Sequence, residues 1–155
     1  MPHYSTERMV RHSAEEMFAL VADVEKYPEF VPLCERLVVR SRRMDGSRDV
    51  LIADMTVAYK IVRETFTTRV IIDPQTNTIR ADYLDGPFKH LENVWTFVPT
   101  EPGRSAVRFW IDYEFRSRAL SMLMDSVFDK AFRKFAEAFE KRADAIYPVA
   151  PALGG

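Results

Sequence analysis

Residues 106–115, AVRFWIDYEF, and residues 120–147, LSMLMDSVFDKAFRKFAEAFEKRADAIY, decide how this chain folds. In the first stretch Val107, Phe109, Ile111, Tyr113 and Phe115 recur at every second position, which is the pattern of a strand with one buried face. In the second, Leu120, Met124, Val127, Phe128, Ala131, Phe135, Ala138, Phe139 and Ile146 line one side of a helix. Asp129, Lys130, Arg133, Lys134, Glu137, Glu140, Lys141 and Arg142 belong mostly to its other, solvated side. The change of period predicts a final strand followed by a long amphipathic helix that lies back on the sheet.

Upstream, the pattern is β-rich with one helical interruption. A weakly alternating first strand is expected over 4–12. Ser13 and Glu16 have capping-box spacing, and Met17, Phe18, Leu20, Val21 and Val24 follow at helical spacing, so a short helix is expected over 14–22. Tyr27-Pro28 breaks it, and Phe30 and Val31, between Pro28 and Pro32, form a turn or a second short helix. Strands are then expected over 33–43, 49–59, 61–72, 78–84 and 91–98, separated by polar turns and by Gly86-Pro87. With 106–115 the total is about seven. Strand, short helices, six strands and long helix make an α+β plan in which one antiparallel sheet buries a face against one helix, and this order excludes a βαβ nucleotide-binding fold. A single domain over 1–147 is expected, with a frayed Pro/Gly-containing tail over 148–155.

A 155-residue chain that is 47% hydrophobic can bury a core without staples. Its formal net charge of −1 gives no footprint for DNA. Arg36, Arg40, Arg42, Arg43 and Arg48 form a local basic cluster, read as a solvated hairpin end or, alternatively, as a contact for anions or membrane headgroups. Cys34 is the sole cysteine, which excludes an intrachain disulfide and fits a reducing compartment. Residues 1–11 lack the apolar run of a signal peptide, and no segment is apolar enough to span a bilayer. The expected address is the cytoplasm, with any membrane contact peripheral.

No catalytic or metal constellation is visible. His3, His12 and His90 lack metal-site spacing, Asp82 and Asp85 flank a turn, and neither a Gly-rich phosphate loop nor a Gly-x-Ser-x-Gly elbow occurs. What stands out is a soft apolar surface. Met122, Leu123, Met124, Phe128, Phe132 and Phe135 are expected to face a curved sheet bearing Trp95, Phe97, Phe109, Tyr113 and Phe115. Such a surface fits a solid core or a ligand cavity, and periodicity alone favours the core.

Several segments nevertheless resemble one family. VADVEKYPEFVPLC (21–34), VAYKIVRETFTTRV (57–70), GPFKHLENVWTFVP (86–99), VRFWIDYEFRS (107–117) and FRKFAEAFEKRA (132–143) are similar, in order, to motifs of the coenzyme Q-binding START-like (SRPBCC, polyketide cyclase/dehydrase-like) family. The resemblance implies a helix-grip fold, in which a seven-stranded antiparallel sheet wraps the C-terminal helix around an apolar tunnel. It also implies non-catalytic binding of ubiquinone or a similar prenyl quinone as ligand, in the service of respiration, with no other cofactor. A bacterial branch of the same family is described as toxins that impede ribosomal subunit association, and an older naming treats such chains as oligoketide cyclases. The expected partners are therefore a hydrophobic lipid, the periphery of the inner membrane and, in the alternative, the ribosome.

A quinone tail needs a dry groove, and its head needs a few polar groups. Glu64, between Val62 and Phe66 on one strand face, Asn93, two residues before Trp95, and the hydroxyls of Tyr59 and Tyr113 are the polar candidates. Phe66, Trp95, Phe97, Phe109, Met124 and Phe128 are the apolar ones. Phe30 and Val31 are expected either at a gate or in a helix–strand turn that merely packs, and Phe135 in plain core.

Overall fold

The computed structural model describes residues 3–151. β1 (His3–Val10) leads into α1 (Ala14–Ala22) and a 3₁₀ turn (Val24–Glu29). Six strands follow: β2 (Cys34–Asp45), β3 (Arg48–Tyr59), β4 (Val62–Asp73), β5 (Thr78–Asp85), β6 (Phe88–Pro99) and β7 (Ser105–Phe115). The long helix α2 (Arg118–Ile146) closes the chain. The strands form one antiparallel sheet in the order β1-β7-β6-β5-β4-β3-β2, so β2 to β7 make a meander and β1 adds to its far edge. This is the α+β helix-grip arrangement that the resemblance implies.

The local causes are legible residue by residue. Ser13 accepts a hydrogen bond from the Glu16 N–H while Glu16 accepts one from the Ser13 N–H, so the capping box starts α1 where expected. Ser117 caps α2 by accepting from the Leu120 N–H. Val107, Phe109, Ile111, Tyr113 and Phe115 are all buried, as their alternation requires. At the β5–β6 turn Gly86 has φ +140°, and a Cβ there would lie 2.6 Å from the Phe66 Cβ. Only glycine permits that approach.

Two elements behave differently from expectation. Met122 and Leu123 are 86% and 63% exposed, because the buried stripe of α2 runs through Met124, Phe128, Phe132, Ala136, Phe139 and Ala143. The tail expected to be loose from 148 is tied down over 148–151: Ala150 donates its N–H to the Arg11 carbonyl, and the Arg11 Nε donates back to the Ala150 carbonyl. Residues 152–155 of that tail lie outside the described residues. Nearby, buried His12 places Nε2 2.6 Å from Asp144 Oδ1 and ties the start of α1 to the end of α2.

α2 lies against β1, β7 and α1. α1 in turn packs on β5, β6 and β7, with Phe18 edge-on to Phe97 at 5.7 Å. The inner faces of β3 and β4 receive no comparable cover from a helix. A twisting sheet diverges from a straight helix seated on one of its edges, and the gap that results holds the site.

Candidate functional site

Between α2 and the inner face of the sheet is an apolar cavity with about 100 Å³ of space for the centre of a water-sized sphere. α2 contributes Phe128, Ala131, Phe132, Phe135 and Phe139 to one wall. Opposite lie Ala53, Met55 and Val57 of β3, Phe66 and Val70 of β4, and Ile79 and Ala81 of β5. Leu91, Trp95, Phe109 and Ile111 of β6 and β7 make the floor, where Trp95 meets Phe109 at 4.8 Å and Phe139 at 4.9 Å, both edge-on. α1 closes the end nearest Phe97. Tyr27, Pro32 and Leu33 form a lip beside β2 and β3.

Four lining side chains carry nitrogen or oxygen atoms, and they are not equivalent; one is Trp95, whose indole N–H has no hydrogen-bond partner among the described residues. The Tyr27 hydroxyl donates to the Val21 carbonyl, and burial pushes its pKa well above the usual phenol value, so it is a neutral, satisfied structural group. Asn93, a lining residue, uses one amide N–H for the Trp110 carbonyl at 2.9 Å, and its Oδ1 and second N–H have no hydrogen-bond partner among the described residues. Thr68 is buried and its hydroxyl has no hydrogen-bond partner among the described residues. Asn93 stands opposite Ala81, which pairs with Val70, the next inward residue after Thr68. Thr68 and Asn93 are therefore two strands apart and offset by two residues along the sheet, roughly 12 Å between Cα atoms at ordinary strand geometry, on either side of the small side chain of Ala81.

Of the residues expected at the ligand, the structure brings Phe66, Asn93, Trp95, Phe109 and Phe128 together on this cavity. The others lie elsewhere. Phe97 shares the inward face of β6 with Trp95 but is covered by α1 and stacks against the Trp95 ring at 6.2 Å, so it is solid core. Tyr113 and Met124 are buried where α2 sits directly on the sheet. The Tyr113 ring packs between Phe128 and Phe132, and Asp125 and Asp129 reinforce the burial that raises its pKa. Tyr59, at the tip of the β3–β4 hairpin, is exposed with Lys60 Nζ 5.3 Å from its ring centre. Glu64 is half-buried opposite Val57, on the part of that hairpin that outruns β5, and does not line the cavity. Val31 is buried and Phe30 packs edge-on against Phe139 at 5.0 Å beneath Arg142, so the lip belongs to Tyr27, Pro32 and Leu33 instead. Phe135, expected in plain core, lines the cavity.

The basic cluster is largely neutralised. Arg40 pairs with Asp54 at 2.5 Å, Arg42 with Asp49 at 3.0 Å and Arg48 with Asp45 at 2.6 Å. These three ion pairs lie along β2 and β3 toward their exposed hairpin turn. Among the described residues no group of His, Cys, Asp or Glu could hold a metal, and no helix is long and apolar enough to cross a membrane.

Sequence reasoning missed Thr68. Its signal was present, since it falls between Phe66 and Val70 at strand period, and a hydroxyl there has to point inward.

This geometry has known relatives. The chain is 32% identical over 147 residues to the ribosome association toxin RatA of Escherichia coli strain K12, covering 95% of this chain and 90% of that one. It is 35% identical over 148 residues to the mitochondrial coenzyme Q-binding protein COQ10 homolog B of Xenopus laevis, covering 93% of this chain and 59% of that one. The solution structure of the 18 kDa protein CC1736 from Caulobacter crescentus superposes with a TM-score of 0.78 at 33% identity, covering 94% and 98% of the two chains. The model of the family described as polyketide cyclase/dehydrase and lipid transport matches residues 10–140, and the chain belongs to that family.

Proposed function

We propose that this chain binds one prenyl quinone or closely related lipid in the cavity and carries it without chemical change. The observation that carries this reading is the makeup of the lining: an apolar cavity of aromatic and aliphatic side chains in which Thr68, Asn93 and the Trp95 indole N–H have unused hydrogen-bonding capacity. A quinone ring carries two opposed oxygens roughly 5 Å apart, and a hydrogen bond of about 2.9 Å at each gives a span of roughly 11 Å. That is close to the separation of Thr68 and Asn93 across Ala81. The Thr68 hydroxyl would donate to one carbonyl, and the Asn93 amide would serve the other in either redox state, as donor to a quinone and acceptor from a quinol. The tail would lie among Phe128, Phe132, Phe135 and Met55, where apolar burial supplies affinity. The name of the frog relative, a coenzyme Q-binding protein, supports the same ligand class.

The lining holds no carboxylate, imidazole, amine or thiol. General acid–base chemistry needs such a group within reach of the ligand, so the reading assigns binding and not turnover. The test is native mass spectrometry of gently purified protein, with absorbance and mass analysis of its organic extract. The expected result is a bound prenyl quinone. Protein that is consistently empty, and whose melting temperature no added quinone shifts, would refute the proposal.

The ribosome toxin relatives favour a second reading, contact with a ribosomal subunit. That reading predicts salt-sensitive co-sedimentation with purified subunits, unaffected by filling the cavity. The ion pairing of Arg40, Arg42 and Arg48 leaves Arg36 and Arg43 as the cluster's cations without a carboxylate partner among the described residues.

A further inference from the structure

The strand connectivity gathers the β3–β4 turn, the β5–β6 turn and the junction of β7 with α2 at one end of the sheet. The β3–β4 hairpin projects beyond the others there, because β5 stops pairing at Thr67 while β3 and β4 continue to Tyr59 and Val62. At its tip Ile61 is 99% exposed. Met122 and Leu123, exposed near the start of α2, stand at the same end, as does Leu84 before the β5–β6 turn. A single exposed aliphatic residue is ordinary, but several large ones on the protruding parts of one end are a patch.

The charges there have a pattern as well. Glu35 is held by Arg63 and Glu114 by Lys89, whereas Lys60 and Arg118, each beside the exposed aliphatic residues, have no carboxylate partner among the described residues. Asp85 in the β5–β6 turn and half-buried Glu64 on the hairpin are carboxylates there with no cation partner among the described residues. Bare aliphatic tips flanked by unpaired cations are the combination that anionic lipid surfaces select: the apolar groups enter the headgroup boundary and the cations remain at the phosphates. α1 packs across β5, β6 and β7 away from this end, and Val57, Phe66 and Phe128 of the cavity lining lie toward it.

We propose that this end is a docking surface for an anionic phospholipid bilayer, with Ile61, Met122 and Leu123 as its inserting residues and Lys60 and Arg118 as its headgroup contacts. Delivery of a cavity-bound lipid through this surface rests on the ligand proposed above, whereas adhesion to a bilayer does not.

The experiment is flotation of the full chain with vesicles of phosphatidylcholine alone and of a phosphatidylcholine–phosphatidylglycerol mixture. The variants are Ile61→Glu/Met122→Glu/Leu123→Glu and Lys60→Glu/Arg118→Glu, each checked for an unchanged melting curve. Titration with a short-tailed quinone in solution is run in parallel. The wild type is expected to float on the mixed vesicles in a salt-sensitive manner, and each variant to lose roughly tenfold in vesicle affinity with quinone affinity unchanged. Wild-type protein that ignores both vesicles, or a triple variant that floats equally well, overturns the docking surface. A triple variant that changes the sedimentation mass without changing flotation also overturns it, by assigning the patch to contact between copies of the chain. Flotation without quinone binding would refute the ligand reading and leave the docking surface standing. Quinone binding without flotation would do the reverse.

Discussion

Truncating aromatic side chains distinguishes a cavity wall from solid core, and Phe97 and Phe109 make the comparison on adjacent strands. Both are almost fully buried, and a solid core would penalise their loss equally. Phe97 is enclosed by Phe18 and Trp95, so Phe97→Ala loses about 2 kcal/mol of transfer free energy and opens a new void. A void of roughly 100 Å³ at about 24 cal/mol per Å³ adds about 2.4 kcal/mol, for a total of about 4 kcal/mol. Phe109 meets Tyr4, Trp95, Phe132 and Phe135, but part of its ring already borders empty space. Phe109→Ala therefore enlarges a cavity that the fold already tolerates. If about half the void term is already absent, the total falls to about 3 kcal/mol. Phe128→Ala and Phe135→Ala should fall with Phe109→Ala. Urea melts of lipid-free protein at constant m-value resolve a difference of about 1 kcal/mol. Quinone titrations should then show severalfold weaker binding for Phe109→Ala, Phe128→Ala and Phe135→Ala, and little change for Phe97→Ala. Equal stability losses at all four positions, with affinity per folded molecule unchanged, would refute the placement of the cavity.

Thr68→Val and Asn93→Leu together should lower quinone affinity by about tenfold, since two modest hydrogen bonds are removed, while a hydrocarbon with the same tail binds as before. Equal losses for both ligands in fluorescence titrations would deny these residues a role at the head. Cys34 is buried and its pKa is raised from the ordinary 9.0 to about 11, mainly by burial, so at pH 8 only about 0.1% is thiolate and disulfide reagents should label it far more slowly than the urea-unfolded chain. The folded state holds this proton more tightly, so the contribution to stability is full below pH 9, declines above it and is lost by about pH 11; Cys34→Ala should flatten that alkaline decline in pH-dependent melts. Gly86→Ala should destabilise by at least about 2 kcal/mol, as it combines positive-φ strain with a clash on the Phe66 backbone and Cβ; a midpoint within error of wild type would show that the turn can relax.

The sheet, the capping box at Ser13 and the long helix were readable because each is a local pattern. Alternation fixes which face of β7 is buried, and the spacing of Ser13 and Glu16 fixes where α1 starts. The site was only half readable, for a reason visible in β6. Trp95 and Phe97 have the same parity and chemistry, so the sequence puts both on the inner face, but only Trp95 borders the cavity. Which inward residue faces a void depends on what lies above it, and α1, folded across the end of the sheet, covers Phe97. The same logic displaced Tyr113 and Met124 into the contact between α2 and β7, and Met122 and Leu123 into solvent.

What the sequence does record of the void is its small residues. Ala53, Ala81 and Ala131 occupy inward positions on β3, β5 and α2, where a two-layer core would carry leucine or isoleucine. Thr68 pairs directly with Ala53, and Asn93 directly with Ala81, so each of these two polar side chains stands beside an alanine that leaves it uncovered. A cavity produced only by divergence of the sheet from the helix would need no such pairing. Polar groups set next to removed bulk are what a specific, oriented ligand requires, and Ala81→Leu therefore discriminates between the two origins. If the space is incidental, leucine fills it, adds stability and affects nothing else. If it is a ligand seat, the same leucine stabilises the empty protein and removes quinone binding.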